Sequence, residues 1–516
     1  MSHSTVGRCS SCGSRQEASP PCVWRARFRS RRAFIRDMAA FAAALGAGQL
    51  IEPLSLLGAS EDHKRPNIAV IISDDQGYGE TGYHGHPHVK TPVLDEMAMH
   101  GLQLERYYAA APVCSPTRTS ILTGRHPNRS GVFAPNYSTR PEEITIARIL
   151  KGAGYRTGHF GKWHVGAVKA GSPTNPRNMG FDEYLSHDNF FELDPPLSRN
   201  GADPIILKGE SSLIVVEAAS EFVREASKEG RPFFVCLWFG SPHEPYRGLS
   251  EDVAAYDGVN NEELRHRFAE ITAMDRAIGR FRTLLKELGV ADETLLWYSS
   301  DNGTPVPKNT DSHNGGFRGN KGSLYEGGLR VPGIIEWPAV IRQHRVCTVP
   351  CVTSDIFPTV LDLTGLESPD PRRPIDGVSL RDVIVNDSTN ARPRPIGFWK
   401  YNAGTEKKNA RWMDPELTRG TTPTTRNPAI DFLNFKHPVA KTSDFGGEAA
   451  WMDNRYKLHT NSRKSEIEVE LYDLSTDPGE ENNIAKQHPD IVKRMTAELH
   501  DWQRSVEQSL SGADYR

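Results

Sequence analysis

Cys114 opens the run Cys114-Ser115-Pro116-Thr117-Arg118, which continues through Thr119-Ser120-Ile121-Leu122-Thr123 to Gly124-Arg125. Pro116 falls where a first helical turn tolerates proline, Ile121 and Leu122 supply an apolar patch, and Gly124 is a natural stop. The spacing therefore predicts a short helix with a cysteine at its mouth. A helix N-terminus offers unpaired N–H groups and a partial positive charge, so a nucleophile there faces a ready-made anion site. Arg118, one turn in, adds a fixed cation. A lone cysteine is otherwise usually a buried structural residue, and the polar motifs elsewhere in the chain decide between the two.

Asp74-Asp75 and Asp301-Asn302 each stand at the end of an apolar run. A single Asp after a strand is ordinarily a turn or cap residue, but two such pairs favour a metal. The set holds hard oxygen donors without sulfur or imidazole, which suits calcium better than zinc, and better than magnesium, which keeps several waters. Three carboxylates around a divalent ion leave a net charge of about −1, hostile to an anionic substrate; one bare repulsion at ~4 Å and an effective dielectric near 20 costs about 4 kcal/mol. Cations are required, and Arg118, Lys162 and Lys321 are available. His164 and His243 titrate near neutrality and can carry protons.

Four elements must position these groups. Pro66-Asn67-Ile68-Ala69-Val70-Ile71-Ile72-Ser73 reads as a strand buried on both faces, ending in Asp74-Asp75-Gln76-Gly77. Tyr155 to Phe160 leads to Gly161-Lys162-Trp163-His164, Pro232 to Phe239 leads to Ser241-Pro242-His243, and Thr294 to Ser300 leads to Asp301-Asn302-Gly303. Ligands of open α/β sheets bind beyond the carboxyl ends of the strands, so four such ends predict one shared site. Helical spacing over Leu213 to Lys228 and Leu264 to Leu288 completes an α/β pattern: a large, mostly parallel sheet sandwiched by helices.

After about residue 395 the pattern changes. Ile396 to Trp399, Ala449 to Leu458 and Ile467 to Tyr472 read as strands, and Ile491, Met495, Leu499, Trp502 and Val506 share one face of a final helix. The expected organisation is a leader over 1–59, a larger α/β domain over 60–395 and a smaller α+β domain over 396–516, with a short antiparallel sheet, one helix and a long insertion at 402–446.

The formal net charge of −3 hides an asymmetry: residues 1–59 hold eight Arg, no Lys and three acids, a balance of +5 that leaves −8 on the remainder. An acidic body argues against nucleic acid as the main partner. Arg31-Arg32 precede the Ala/Gly-rich run Met38 to Gly48, the layout of a Tat-like export signal, so an exported, periplasmic or extracellular protein is expected. Beyond that leader no stretch approaches the roughly 18 apolar residues of a membrane span. Of the seven cysteines, Cys9, Cys12 and Cys22 fall in the leader, Cys236 in an apolar strand, and Cys347 and Cys351 are spaced so that a bridge is open but not required.

In order along residues 64 to 505, these motifs resemble those of the type I sulfatases of the alkaline phosphatase superfamily, as does the tail Leu471-Tyr472-Asp473-Leu474 to Asn483. The resemblance implies hydrolysis of sulfate esters of carbohydrates or aryl alcohols. It also implies that a formylglycine-generating maturase converts Cys114 to formylglycine. The hydrated aldehyde offers two hydroxyls on one carbon, one to attack sulfur and one to expel sulfate once deprotonated. Asp74, Asp75, Asp301 and Asn302, with the modified Cys114, would bind calcium; Arg118 and Lys162 would orient the nucleophile, and His164 would act as base. His243 and Lys321 would hold sulfate, one of them protonating the leaving alcohol. Two other readings share much of this pattern: a phosphonate or phosphate monoester hydrolase of the same superfamily, and a non-catalytic calcium-dependent glycan-binding protein.

Overall fold

β1 (Asn67–Ser73) is buried along its whole length, and its alternation splits it between two cores. Ile68, Val70 and Ile72 pack with Ile121 and Leu122 on one side. Ala69 and Ile71 pack on the other against the helices Ser211–Lys228 and Glu262–Glu287. A strand apolar at every position has to be covered on both faces, and a period of two assigns alternate side chains to opposite layers.

The computed structural model describes residues 65–189, 193–306, 314–401, 420, 445–462 and 467–515. After β1 come β2 (Leu102–Leu104), β3 (Tyr107–Tyr108), β4 (Arg156–Lys162), β5 (Glu183–His187), β6 (Pro196–Arg199) and β7 (Ile205–Ile206). They are followed by β8 (Phe233–Trp238), β9 (Thr294–Ser300), β10 (Gly333–Glu336), β11 (Arg345–Cys347) and β12 (Cys351–Val352). A 10-stranded sheet runs in the order β11-β2-β10-β9-β1-β8-β4-β5-β6-β7, while β3 and β12 form a separate pair. Its centre, β9-β1-β8-β4, is parallel throughout. The flanks bring antiparallel pairs: β10 against β9 and β2, and β6 against β5 and β7. The large helix-flanked sheet expected from the sequence is present, mixed at its edges rather than uniformly parallel.

The smaller sheet is antiparallel, in the order β13 (Ile396–Tyr401), β14 (Gly447–Asp453), β15 (Tyr456–Asn461) and β16 (Glu468–Asp473). The run Ala449 to Leu458, expected to be one strand, is two. Asp453 pairs with Tyr456, leaving a two-residue turn in which Asn454 takes the left-handed conformation (φ 44°) that Asn tolerates. The helix Pro489–Leu510 covers one face through Met495, Leu499 and Val506. The other face joins the larger sheet's surroundings: Phe398, Ala450, Met452 and Tyr472 pack with Tyr108, Leu324 and Leu329. Beside them Lys457 Nζ lies 2.9 Å from Glu326 and 3.1 Å from Glu480, all fully buried. Lys64–Arg516 form one unit.

Cys114, Cys236, Cys347 and Cys351 are free thiols. Cys347 and Cys351 are not bridged; both direct Sγ at the Val349 carbonyl, at 4.0 and 3.3 Å. Among the described residues no helix is long and apolar enough to cross a membrane. The leader with Cys9, Cys12 and Cys22, and nearly all of the insertion at 402–446, lie outside the described residues.

Candidate active site

Because β9, β1, β8 and β4 are parallel neighbours, their carboxyl ends lie side by side, and the polar residues that follow them converge. Asp74 and Asp75 follow β1, Lys162 ends β4 with His164 two residues on, His243 follows β8, and Asp301-Asn302 follow β9. The helix predicted around the cysteine is Cys114–Thr123, with Gly124 as its left-handed cap (φ 70°). Every residue of that helix is buried, so Cys114 begins a helix plugged into the body rather than lying on it.

Asp74, Asp75, Asp301 and Asn302 are all fully buried. The Asp75 amide donates to Asp301 Oδ1 (3.2 Å), and Asn302 Nδ2 donates to Asp75 Oδ1 (2.8 Å). Asn302 Oδ1 is buried without a protein hydrogen-bond donor. Cys114 Sγ stands 3.5 Å from Asp74 Oδ1 and 3.8 Å from Asp75 Oδ1. Donor atoms of Asp74, Asp75, Cys114 and His243 all lie within 4.8 Å of one another. This grouping differs from the expected one by including His243 and leaving out Asp301, whose Oδ2 is engaged by Arg118. For a hard divalent cation the oxygen donors remain the better set, with the orphaned Asn302 oxygen completing three carboxylates. His243 is committed elsewhere.

Cations surround the carboxylates. Arg118, fully buried, donates from Nε to Asp301 Oδ2 (2.9 Å) and from Nη1 to the Lys162 carbonyl (2.9 Å), and its Nη2 forms an ion pair with Asp301 Oδ2 at 2.7 Å. Its Nη2 is also 3.8 Å from Asp74. Lys162 Nζ hydrogen-bonds Asp74 Oδ2. Lys321 Nζ lies 2.6 Å from Asp75 Oδ2 and 3.2 Å from His243 Nε2. Three carboxylates thus face three cations, and the shifts follow from burial and from which partner is nearest. Burial and then the charge of Asp74 push the Asp301 carboxyl up to about 6, against Arg118 and Lys162. Asp75 goes the other way: burial raises it, but Lys321, His243 and Lys162 together hold it well below the usual carboxylate range.

The two histidines are held neutral. Burial, reinforced by Lys162 and Arg118, pushes His164 well below its ordinary value. Burial takes His243 down to about 3, although Asp75 pulls it up. The partners of His243 assign its tautomer. His243 Nδ1 donates to the Glu244 carbonyl (2.6 Å), leaving Nε2 to accept from Lys321. His164 Nε2 faces both Asn136 Oδ1 (2.9 Å) and the Asn136 amide N–H (3.3 Å), so Asn136 fixes the ring's orientation.

Asn136, which carries no motif, was not singled out by sequence reasoning. Its amide donates to Ser115 Oγ (3.0 Å), beside Cys114, and Asn189 Nδ2 donates to its Oδ1 (3.3 Å). Asn136 (φ 69°), His164 (φ 53°) and Asp75 (φ 67°) all take left-handed backbone, a conformation that costs non-glycine residues about 1 kcal/mol or more and concentrates at functional sites. Asn189 thus belongs with the site, whereas His84 stacks on Tyr78 and His86 meets Phe268 edge to face, a packing role.

Arg267 and Glu80 were missed as well. Fully buried, Arg267 donates to Glu80 Oε1 (2.8 Å) and Oε2 (2.7 Å), to the Asp75 carbonyl (2.7 Å) and to the Pro242 carbonyl (2.7 Å). It ties the Asp75 turn to the His243 turn. The signal was present: Arg267 falls on the same helical stripe as Ile271, Met274, Ile278, Phe281 and Leu285, where a charge needs a buried partner.

Asp188 fixes the strand end from behind. Its carbonyl accepts the His164 amide (2.9 Å) and its Oδ1 accepts the Val168 amide (2.7 Å). Burial pushes its carboxyl up to about 8. A folded value above the unfolded one means the folded state binds the extra proton, so stability is highest in acid and declines as pH rises from about 4 to about 8. Asp188→Asn removes that slope: its unfolding free energy, measured by urea titration across this range, falls less with pH than the wild type's.

A Sulfatase family model matches residues 66–366. The chain is 29% identical over 511 residues to the N-acetylgalactosamine-6-sulfatase of Rattus norvegicus, covering 91% of this chain and 92% of that protein. It is 30% identical over 475 residues to arylsulfatase A of Homo sapiens, covering 83% and 86%. The crystal structure of Ps i-CgsB shares the fold, with a TM-score of 0.72 at 23% identity over 88% of this chain and 97% of that one. A family match across more than half the chain, laid over the motifs gathered at these four strand ends, means that the chain belongs to the type I sulfatases of the alkaline phosphatase superfamily and is a sulfuric ester hydrolase.

Proposed function

We propose that the chain hydrolyses sulfate esters of carbohydrates outside the cytoplasm, with Cys114 converted to formylglycine and a calcium ion held by Asp74, Asp75, Asp301, Asn302 and the modified Cys114. The observation that carries this reading is the placement of Cys114 Sγ within 3.5 and 3.8 Å of two buried carboxylates. Burial and the Asp301 charge push the thiol well above its ordinary value, whereas a cysteine acting as a thiolate nucleophile needs the opposite shift. That supports a cysteine which serves as precursor. The aldehyde hydrate supplies a hydroxyl nucleophile and a second hydroxyl whose deprotonation releases sulfate. Calcium supplies polarisation of the sulfate oxygens.

The chain's own residues do the rest. Arg118 and Lys162 hold Asp301 and Asp74 in place and offset their charge at the helix mouth. His164, neutral and oriented by Asn136, acts as the base. Lys321 is kept charged, because the attraction of Asp75 outweighs burial. It therefore holds a proton for the leaving oxygen, with His243 Nε2 beside it. Residues 60–395 form the catalytic domain, 396–516 the smaller domain, and 1–59 a Tat-like leader cleaved on export; a formylglycine-generating enzyme is the required partner. Similarity to N-acetylgalactosamine-6-sulfatases supports a 6-sulfated amino sugar as the first substrate to test.

Asn136 then acts as a positioning residue. Asn136→Ala lowers kcat about five- to thirtyfold, from loss of one hydrogen bond worth about 1 to 2 kcal/mol, and shifts the acidic limb of the pH–rate profile. Asn136→Gly keeps the left-handed backbone and shows the same kinetic loss without the loss of thermal stability.

The function is tested by a paired assay on protein co-produced with a formylglycine-generating enzyme. Sulfate release from N-acetylgalactosamine 6-sulfate and 4-nitrophenyl sulfate is expected to exceed hydrolysis of a phenylphosphonate ester, and a calcium-selective chelator is expected to abolish it. A preference for the phosphonate favours the related hydrolase, and glycan binding without turnover favours the non-catalytic reading.

A further inference from the structure

Lys321 stands in a loop rather than at a strand end, between Gly319 (φ 78°) and Gly322 (φ 87°). Glycine takes such left-handed backbone without steric cost and lends it little stiffness, so the loop's shape depends on what holds it. The Lys321 amide donates to the Thr304 carbonyl and the Gly322 amide to the Pro112 carbonyl, both at 2.9 Å. The loop is closed where the Gly327 amide donates to the Arg318 carbonyl (2.8 Å).

Both ends of that closure are gripped from the smaller sheet and the segment after it. At one end Arg318 Nη1 donates to the Tyr472 hydroxyl (2.7 Å) and to the Glu480 carbonyl (3.1 Å). At the other, the Glu326 amide donates to Glu480 Oε2 (2.6 Å), and the Glu326 carboxylate accepts from Lys457 Nζ and from the Tyr108 hydroxyl, each at 2.9 Å. Arg330 Nη1 lies 3.7 Å from the same carboxylate. Lys457 Nζ also meets Glu480 Oε1 at 3.1 Å, where His459 Nε2 approaches to 2.8 Å. Lys457, Glu326 and Glu480 are fully buried, and Lys457 stays charged because the two carboxylates outweigh burial. Glu480 sits in left-handed backbone (φ 56°), which is unfavourable for a residue with a Cβ.

A buried ion pair adds little stability over an apolar cluster of the same volume, but its groups are satisfied in few arrangements. We infer that Lys457, Glu480 and Arg318 are positioning residues for Lys321: they clamp both ends of its loop and so set where its ammonium meets the leaving oxygen. The inference rests on the sulfatase reading above and goes beyond it in giving the smaller sheet a part in the reaction.

The test compares kcat/KM for 4-nitrophenyl sulfate with that for phenyl sulfate, on protein co-produced with a formylglycine-generating enzyme. Nitrophenolate leaves unaided, whereas phenolate is the stronger base and gains from a proton, so the ratio of the two reports how well Lys321 is placed. Lys321→Ala, Lys457→Met and Arg318→Ala are each expected to raise that ratio at least about threefold. Lys457→Met strands two buried carboxylates and so lowers stability; Arg318, with 41% of its side chain exposed, tolerates replacement and carries the test if Lys457→Met does not fold. In the Lys321→Ala background Arg318→Ala is expected to change the ratio less than about twofold, because a residue that acts through Lys321 has nothing left to place. A rise below threefold in Lys321→Ala, in Arg318→Ala or in folded Lys457→Met overturns the clamp and leaves the sulfatase reading standing. So does a change of twofold or more from Arg318→Ala in the Lys321→Ala background. Sulfate release from neither compound by the wild type overturns the sulfatase reading and the clamp with it.

Discussion

Cys114→Ala lowers the rate of sulfate release by about 10⁵-fold or more, because it removes the carbon on which the nucleophile is built. The fold survives. The side chain is 1% exposed and its sulfur meets Asp74 and Asp75, so loss of one buried sulfur costs about 1 to 2 kcal/mol of stability. Activity and unfolding therefore separate in this variant. A residual rate within about a hundredfold of the wild type would mean that another group attacks sulfur.

Arg267→Met produces the second large effect, on stability first. It leaves Glu80 buried and without its guanidinium partner, and it frees the Asp75 and Pro242 carbonyls. Breaking a buried pair in this way costs about 3 to 5 kcal/mol. Adding Glu80→Gln recovers part of that cost, since a neutral amide is cheaper to bury than an unpaired carboxylate. Urea unfolding of the wild type and of both variants measures the difference. Turnover falls as well, because the Asp75 turn loses its tie to the turn that carries His243.

The centre of the fold was legible because both faces of its strands are buried. Ile68 to Ile72, Phe233 to Trp238 and Thr294 to Ser300 are apolar runs that allow no other placement, and the parallel order of β9-β1-β8-β4 brings their polar ends together as expected. The hairpin at Asn454 was not legible: Ala449 to Leu458 reads as one run, and only a left-handed Asn with its cross-strand partner reveals the turn. Within the site the motif residues did converge. Arg118, however, spends its donors on Asp301 and the Lys162 carbonyl rather than on Cys114. The supporting groups were hidden for different reasons. Arg267 lies on an apolar stripe, where a charge was passed over, and Asn136 sits in a loop whose partners, Ser115 and His164, are distant in sequence.

The central claim is that the encoded residue is not the reacting one. The most direct measurement is the mass of the tryptic peptide containing Cys114, from protein co-produced with a formylglycine-generating enzyme, compared with the same peptide from protein made without it. The predicted result is a peptide lighter by the difference between a thiol-bearing carbon and an aldehyde, in proportion to the sulfate-releasing activity of each preparation. An unmodified thiol in a fully active preparation would contradict it.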